Sequence, residues 1–299
     1  MGPVNGSPRL QEWREGGGIR HLAGHAVFVR TAVTPGLPPL LLIHGYPTAS
    51  YDWVRVWPLL AARHSLYALD LLGFGYSAKP RDCDYPIALQ ADICMALLAS
   101  EGIGEVHVLA HDYGDTVAQE LLAREQEGRL RIASVVFLNG GLFPETHRAR
   151  TVQKLLAMPV LGPLLAGAMR YATFEATMLS IAGGHPPTRE ELQDHWVLIE
   201  RDGGRHALAT LINYMAQRRR QRARWVGALV ASRVPMRLIC GAVDPVSGRH
   251  LAQRYRELVP APDVVLLEDV GHYPQLEVQA RVVEEYEAFR VRISSSAAP

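Results

Sequence analysis

The stretch Val106–Gly114, VHVLAHDYG, constrains the fold more than any other part of this chain. An apolar strand, Val106–Ala110, runs into His111-Asp112-Tyr113-Gly114, and an amphipathic helical pattern from Asp115 to Glu125 follows. Small residues, Ala110 and Gly114, stand two positions either side of Asp112. That spacing is the signature of a nucleophile elbow, a sharp strand-to-helix turn that thrusts one side chain into a pocket. The exposed residue of such a turn is usually Ser; here it is Asp. A carboxylate, with a reference pKa near ~3.9, is ionised at neutral pH and needs no base to attack. It can displace a leaving group from an sp³ carbon and leave an ester for water to cleave. The elbow therefore points to epoxide or carbon–halogen chemistry rather than ordinary ester hydrolysis.

The rest of the chain repeats this strand-then-helix alternation. His25–Val33, after a turn at Gly24, reads as an antiparallel start. Pro39–His44 is a buried strand, and a helix is expected around Tyr51–Ala62. The strand Ser65–Asp70, a helix at Pro86–Ser100 and, after the elbow, the strand Arg131–Asn139 continue the pattern. It lapses over Leu142–Ser232, which reads as helices and loops. It resumes with Pro235–Cys240, a helix at Ser247–Leu258, the strand Asp263–Leu267 and a helix at Gln275–Arg292. Alternation of this kind predicts a mostly parallel sheet with helices on both faces. The helical block is expected to be an inserted cap over 142–232, on a core formed by 1–141 and 233–299.

An elbow needs partners in the chain order nucleophile, acid, His. Asp244, in Gly241-Ala242-Val243-Asp244-Pro245, falls just beyond a strand's C-terminal end, where α/β sheets place active groups. His272, in Gly271-His272-Tyr273-Pro274, follows the last strand. Alone, Asp244 is a turn residue and His272 a loop residue; in this order Asp244 would orient His272, and His272 would activate the attacking water. Cleaving the ester builds an oxyanion on the Asp112 carboxyl, which calls for backbone N–H donors. Tyr113, next after the nucleophile, and Tyr46, in the turn His44-Gly45-Tyr46-Pro47, are the expected pair.

Composition narrows the alternatives. The 299 residues carry a formal net charge of +1, which gives no electrostatic case for nucleic acid or an acidic membrane. The run Arg218–Arg224 is expected to be a solvated helix face or to bridge to the core. Three cysteines, Cys83, Cys94 and Cys240, form no CxxC pair, favouring a reducing, cytoplasmic setting. Twelve histidines offer no HExxH or Cys/His cluster, so neither metal nor organic cofactor is expected. Residues 1–10 lack the pattern of a signal peptide and read as a disordered lead-in or an expression remnant, and Arg292–Pro299 reads as frayed. Leu155–Met169 is too short to span a bilayer, and prolines and glycines interrupt it. It reads as an apolar cap helix lining a pocket rather than as a membrane contact.

The set HGYPTASYDW (His44–Trp53), DLLGFGYSAKP (Asp70–Pro80), AHDYGD (Ala110–Asp115), Asp244-Pro245 and GHYPQLE (Gly271–Glu277) resembles the α/β-hydrolases of the epoxide hydrolase and haloalkane dehalogenase branch. NGGLFPETHR (Asn139–Arg148) and RWVGAL (Arg224–Leu229) are similar to the mesoderm-specific transcript subgroup. The resemblance implies an α/β-hydrolase fold with an eight-stranded, mostly parallel sheet, and a cofactor-independent hydrolase of the epoxide-to-diol type. It implies a small lipophilic epoxide as substrate, and leaves oligomerisation open. In the dehalogenases a Trp usually follows the nucleophile and an Asn often stands in the HGNP loop, clamping the halide; Tyr113 and Tyr46 replace them here. An Arg beside the nucleophile, expected for a fluoroacetate-type enzyme, is absent from the neighbouring positions. Epoxide opening instead calls for a cap tyrosine as acid. Tyr214 lies one position early for the family's Asn-Trp-Tyr-Arg region, and Tyr171 is the other candidate. His147 and His206 are reserve polar groups for the pocket, and Trp53 is expected in the core. A haloalkane dehalogenase with the same triad, or a ligand-binding protein on this fold, are the alternatives.

Overall fold

The computed structural model describes residues 6–296. Its centre is an eight-stranded sheet of order β1-β2-β4-β3-β5-β6-β7-β8. The strands are β1 (Gly17–Leu22), β2 (His25–Ala32), β3 (Pro39–Ile43), β4 (Ser65–Leu69), β5 (Val106–Asp112), β6 (Ile132–Gly140), β7 (Met236–Gly241) and β8 (Val264–Leu267). Strand β2 runs antiparallel to both neighbours, and every pairing from β4 to β8 is parallel. The central strands are apolar on both faces, as parallel strands covered on both sides must be. Alternation along them splits the core in two: Leu41, Ile43, Val108 and Phe137 face one layer, and Leu40, Leu42, Leu109 and Val136 the other.

Three helices cover the second layer: Pro8–Glu15, Trp57–Ala61 and Gln279–Ser296. The first corrects the expected disordered lead-in. Ser7 Oγ accepts from the Leu10 N–H at 3.2 Å, Pro8 opens the helix, and Leu10 and Trp13 are buried beneath it. Arg292–Ser296 likewise continues the final helix instead of fraying; the remainder of both terminal expectations lies outside the described residues. Strand β1, unmarked in the sequence because its burial alternates weakly, completes a hairpin with β2.

Between β6 and β7 the sheet gives way to seven helices: Thr151–Leu156, Leu161–Ala168, Tyr171–Ile181, Arg189–Glu200, Arg205–Leu211, Tyr214–Arg220 and Arg222–Ala231. They close over the strand ends nearest the elbow, with Phe174, Leu208 and Tyr214 joining the first core layer. Leu155–Met169 is not one pocket helix. It forms parts of two short helices around a turn, with Leu156, Gly162 and Ala166 buried and the other leucines turned outward.

Candidate active site

Asp112 ends β5 and immediately precedes the helix Tyr113–Gln126, with φ 48° and ψ −103°. A non-glycine residue at positive φ is strained and persists where its surroundings hold it. Here the helix start packs directly on the end of β3. A Cβ on Gly114 would lie 2.3 Å from the Ile43 carbonyl oxygen and 2.8 Å from that of His44, so only glycine fits. The Asp112 carboxylate is thereby fixed at the positive end of a 14-residue helix.

The turn after β3 brings the Tyr46 N–H to Asp112 Oδ2 at 3.0 Å. Tyr113 is the first residue of the helix, so its N–H has no acceptor within the helix. The side chains of both tyrosines are occupied elsewhere: the Tyr46 hydroxyl donates to the Leu208 carbonyl at 3.2 Å and that of Tyr113 to the Tyr85 carbonyl at 3.5 Å.

Asp244 follows β7, and His272 follows β8. Nδ1–H of His272 donates to Asp244 Oδ2 at 2.8 Å, leaving Nε2 as the basic nitrogen. Asp244 also accepts from the Val246 N–H, from Ser247 N–H and Oγ–H, and from Asn139 Nδ2 at 3.0 Å. Burial opposes charge on His272, but the charge and hydrogen bond of Asp244, aided by Asp112, outweigh it and lift the imidazolium to about 9. Burial also works against the Asp244 anion; His272 and the surrounding donors hold it down to about 2. The His272 N–H donates to the Ile181 carbonyl at 2.9 Å. Glu277 gathers the N–H groups of Gly271, Tyr273 and, at 2.8 Å, Gly183. Two of the segments so tied, Gly271–Tyr273 and Ile181–Gly183, belong to the base loop and the helical insertion respectively.

Sequence reasoning missed the residue that changes the site most. Arg218, expected on a solvated face or bridging to the core but not at the nucleophile, is 2% exposed and reaches into the elbow. Its Nη2 donates to the Asp112 carbonyl at 3.0 Å and lies 4.0 Å from Asp112 Oδ1; its Nε donates to Thr116 Oγ1 at 2.6 Å. A Cβ on Gly141 would lie 1.7 Å from Arg218 Nη1, so the glycine after β6 makes room for it. The rest of the run behaves as expected, with Arg222 pairing to Glu145 and Arg224 to Glu120 on the core. The missed signal is spacing: Arg218 is four residues beyond Tyr214 and shares its helix face. Asn139, which braces Asp244 and accepts the Gly241 N–H at 2.7 Å, was also unassigned. A buried amide closing an apolar strand is its signal.

Tyr214 is fully buried, with the Arg218 guanidinium 4.3 Å from its ring centre and its hydroxyl without a hydrogen-bond partner among the described residues. Burial, and next the Asp112 charge, push its phenol further up. Tyr171 must be corrected: its hydroxyl is spent on Glu175 at 2.9 Å, whereas Tyr214 stands over the elbow; neither tyrosine lines the cavity beside His272. His206 is likewise spent on the carbonyls of Gly203 and Lys79. His147 does approach the site, 6.5 Å from the Tyr214 ring, with both ring nitrogens buried and unpartnered; burial, then Arg218, hold it neutral, down to about 4. Trp53 is in the core.

A cavity of about 60 Å³ opens beside His272 and Tyr46 and is otherwise mostly apolar, with Leu156, Phe174, Met178 and Leu208 among its walls. A wider cleft of about 470 Å³ between β7, β8 and the last helix contains none of these residues. Among the described residues no group of His, Cys, Asp or Glu is placed to hold a metal ion.

The alpha/beta hydrolase family profile matches residues 40–285. The mesoderm-specific transcript protein of Mus musculus is 40% identical over 96% of this chain and 89% of its own length, and the homologous protein of Homo sapiens matches equally. Among solved structures, a loop variant of the haloalkane dehalogenase DbeA from Bradyrhizobium elkanii superposes with a TM-score of 0.80. It covers 94% of this chain and 98% of its own at 22% identity, a likeness of fold.

Proposed function

We propose a function from the premise that this chain belongs to the alpha/beta hydrolase family: a cofactor-independent hydrolase that opens epoxides to diols through an ester on Asp112. Asp112 Oδ attacks a ring carbon as the C–O bond breaks, and the hydroxyl of Tyr214 gives its proton to the departing alkoxide. The Tyr46 and Tyr113 N–H groups take the oxyanion as water adds to the ester carbonyl. Esterification removes the Asp112 charge that helps to raise the imidazolium, so His272 Nε2 takes the water's proton while Asp244 steadies the resulting cation. Collapse passes the remaining acid proton to the departing diol and restores the carboxylate, and the imidazolium proton returns to the Tyr214 phenolate. Residues 142–232 serve as the cap that screens this chemistry from bulk water. The apolar cavity favours a small lipophilic substrate, and the unpaired cysteines favour a reducing, cytoplasmic setting.

The observation that carries this reading is the buried Tyr214 hydroxyl, which makes no hydrogen bond of good geometry and stands within the fields of Asp112 and Arg218. A phenol without a well-formed hydrogen bond is costly in a resting protein and useful where an alkoxide must be protonated. A second reading, haloalkane dehalogenation with the same triad, is favoured by Arg218 Nη1, a buried cation donor also without a partner and able to meet a halide.

His272→Ala separates the two. Without the base the ester accumulates, so intact mass after incubation with styrene oxide should rise by the whole epoxide. Incubation with 1-bromohexane should leave the mass unchanged. A gain of the alkyl group alone, with bromide released, would favour the second reading. No adduct on the folded variant with either probe would overturn the covalent mechanism and leave a binding protein on a hydrolase fold.

A further inference from the structure

Six of the thirteen exposed large hydrophobic side chains among the described residues crowd between Leu155 and Leu165. They are Leu155, Met158, Val160, Leu161, Leu164 and Leu165, with Val160 76% and Leu164 67% exposed. Packing explains why they face outward. The helices Thr151–Leu156 and Leu161–Ala168 meet at Gly162, where a Cβ would lie 2.1 Å from the Leu156 carbonyl oxygen. That contact spends the small face, Gly162 and Ala166, on the protein and leaves the leucines to solvent. A patch of this kind on a chain otherwise well packed marks a contact surface.

The charge along this segment of the chain has one sign. From Thr146 to Phe174 the chain carries Arg148, Arg150, Lys154 and Arg170 and no acidic residue. Arg148, Lys154 and Arg170 form no ion pair among the described residues. An apolar crest flanked along the chain by cations matches the layering of an anionic bilayer, with phosphates outside and acyl chains beneath. No helix among the described residues is long and apolar enough to cross a membrane, so contact would be confined to the surface. The same short helix serves both sides: Leu155 points outward while Val152 and Leu156 line the cavity beside His272.

We propose that this face docks on an anionic phospholipid surface, with Val160 and Leu164 seated at the acyl boundary and Arg148, Lys154 and Arg170 against headgroup phosphates. Docking there sets the cavity wall against the bilayer and gives a lipophilic molecule a dry route to it. Binding is independent of which bond the site breaks.

Flotation with vesicles of phosphatidylcholine and phosphatidylglycerol in equal parts, against phosphatidylcholine alone, tests this on the full chain. The wild type should float with the anionic vesicles and partition at least ~10-fold more weakly without phosphatidylglycerol, or in half-molar salt, where exposed charges are screened. The double variant Val160→Glu, Leu164→Glu should lose at least ~10-fold in partitioning, whereas Val291→Glu, equally exposed but on the last helix, should not. A wild type that stays in the dense fraction with both vesicles overturns the proposal without recourse to any variant. So does a double variant that floats like the wild type. A dimer in light scattering that the double variant abolishes, with no flotation of the wild type, would assign the face to a second copy and also overturn it.

Discussion

Replacing Arg218 by Met tests whether the buried guanidinium is the electrostatic partner of the elbow. The side chains of Arg218 and Asp112 are 2% and 4% exposed, and Nη2 stands 4.0 Å from Oδ1. Two unit charges at that distance attract by ~4 kcal/mol at an effective dielectric of ~20, a setting suited to sites within a protein. Removing one partner of a buried pair typically costs ~3–5 kcal/mol, because the other is left uncompensated. Arg218→Met should therefore destabilise the protein by about 3–5 kcal/mol in urea unfolding at pH 7. A double-mutant cycle sharpens the test. Asp112→Asn deletes the charge but keeps the main-chain carbonyl that accepts from Nη2, and the Thr116 bond is common to both backgrounds, so neither enters the coupling. The cycle should return a coupling of ~2–4 kcal/mol, with Arg218→Met much milder in the Asp112→Asn background. Additivity within ~0.5 kcal/mol would refute the reasoning and reduce Arg218 to a packing residue.

Other outcomes follow from the same geometry. Tyr214→Phe should slow ester formation from an epoxide by ~10²–10⁴-fold in stopped-flow while leaving folding stability unchanged or slightly raised, since it deletes an unsatisfied buried hydroxyl. The His272–Asp244 pair sets a pH window. His272, raised from 6.5 to about 9, contributes stability that is fully present below pH 6.5 and lost as pH climbs through 9. Asp244, lowered from 3.8 to about 2, contributes stability present above 3.8 and lost as pH falls through 2. The gap in unfolding free energy between wild type and Asp244→Asn should thus be widest from about pH 4 to 6.5 and narrow towards pH 10; a gap that widens above pH 9 would contradict the assignment. Gly114→Ala should cost at least ~2 kcal/mol or abolish soluble expression, because the methyl meets backbone oxygens that cannot move aside, whereas Gly104→Ala, in open space, should fall within ~0.5 kcal/mol of wild type in thermal melts.

How much of this was legible before folding depended on whether the signal was local. The elbow was legible because its constraint sits within five residues, a carboxylate between two small neighbours, and the strands because parallel pairing demands unbroken apolar runs such as Leu40–Ile43. Asp244 and His272 were legible from chain order and strand ends. Arg218 was not, because a charge run looks the same whether its face meets water or a buried carboxylate; only the tertiary placement of the helix Tyr214–Arg220 over Asp112 decides. Tyr171 failed for the converse reason, being a plausible donor whose helix turns it to Glu175. The opening helix was hidden by Gly and Pro around it, although Ser7 followed by Pro8 is itself a starting signal.

The bonds that Ile181 and Gly183 make to the loop of His272 and Glu277 have a kinematic consequence. At that edge the roof and the base move as one frame, so a hinge there would drag the imidazole away from Asp244. A void of about 60 Å³ holds only a few waters and must still expand for any organic substrate. The expansion has to come from walls that carry no catalytic group, and the helix Thr151–Leu156, which turns Val152, Gln153 and Leu156 to the cavity, is such a wall. Amide exchange should therefore divide the roof in two, with the amides of Gly183 and His272 among the slowest and those of residues 151–156 among the fastest. The catalytic geometry would stay clamped while the side that carries the exposed leucines gives way.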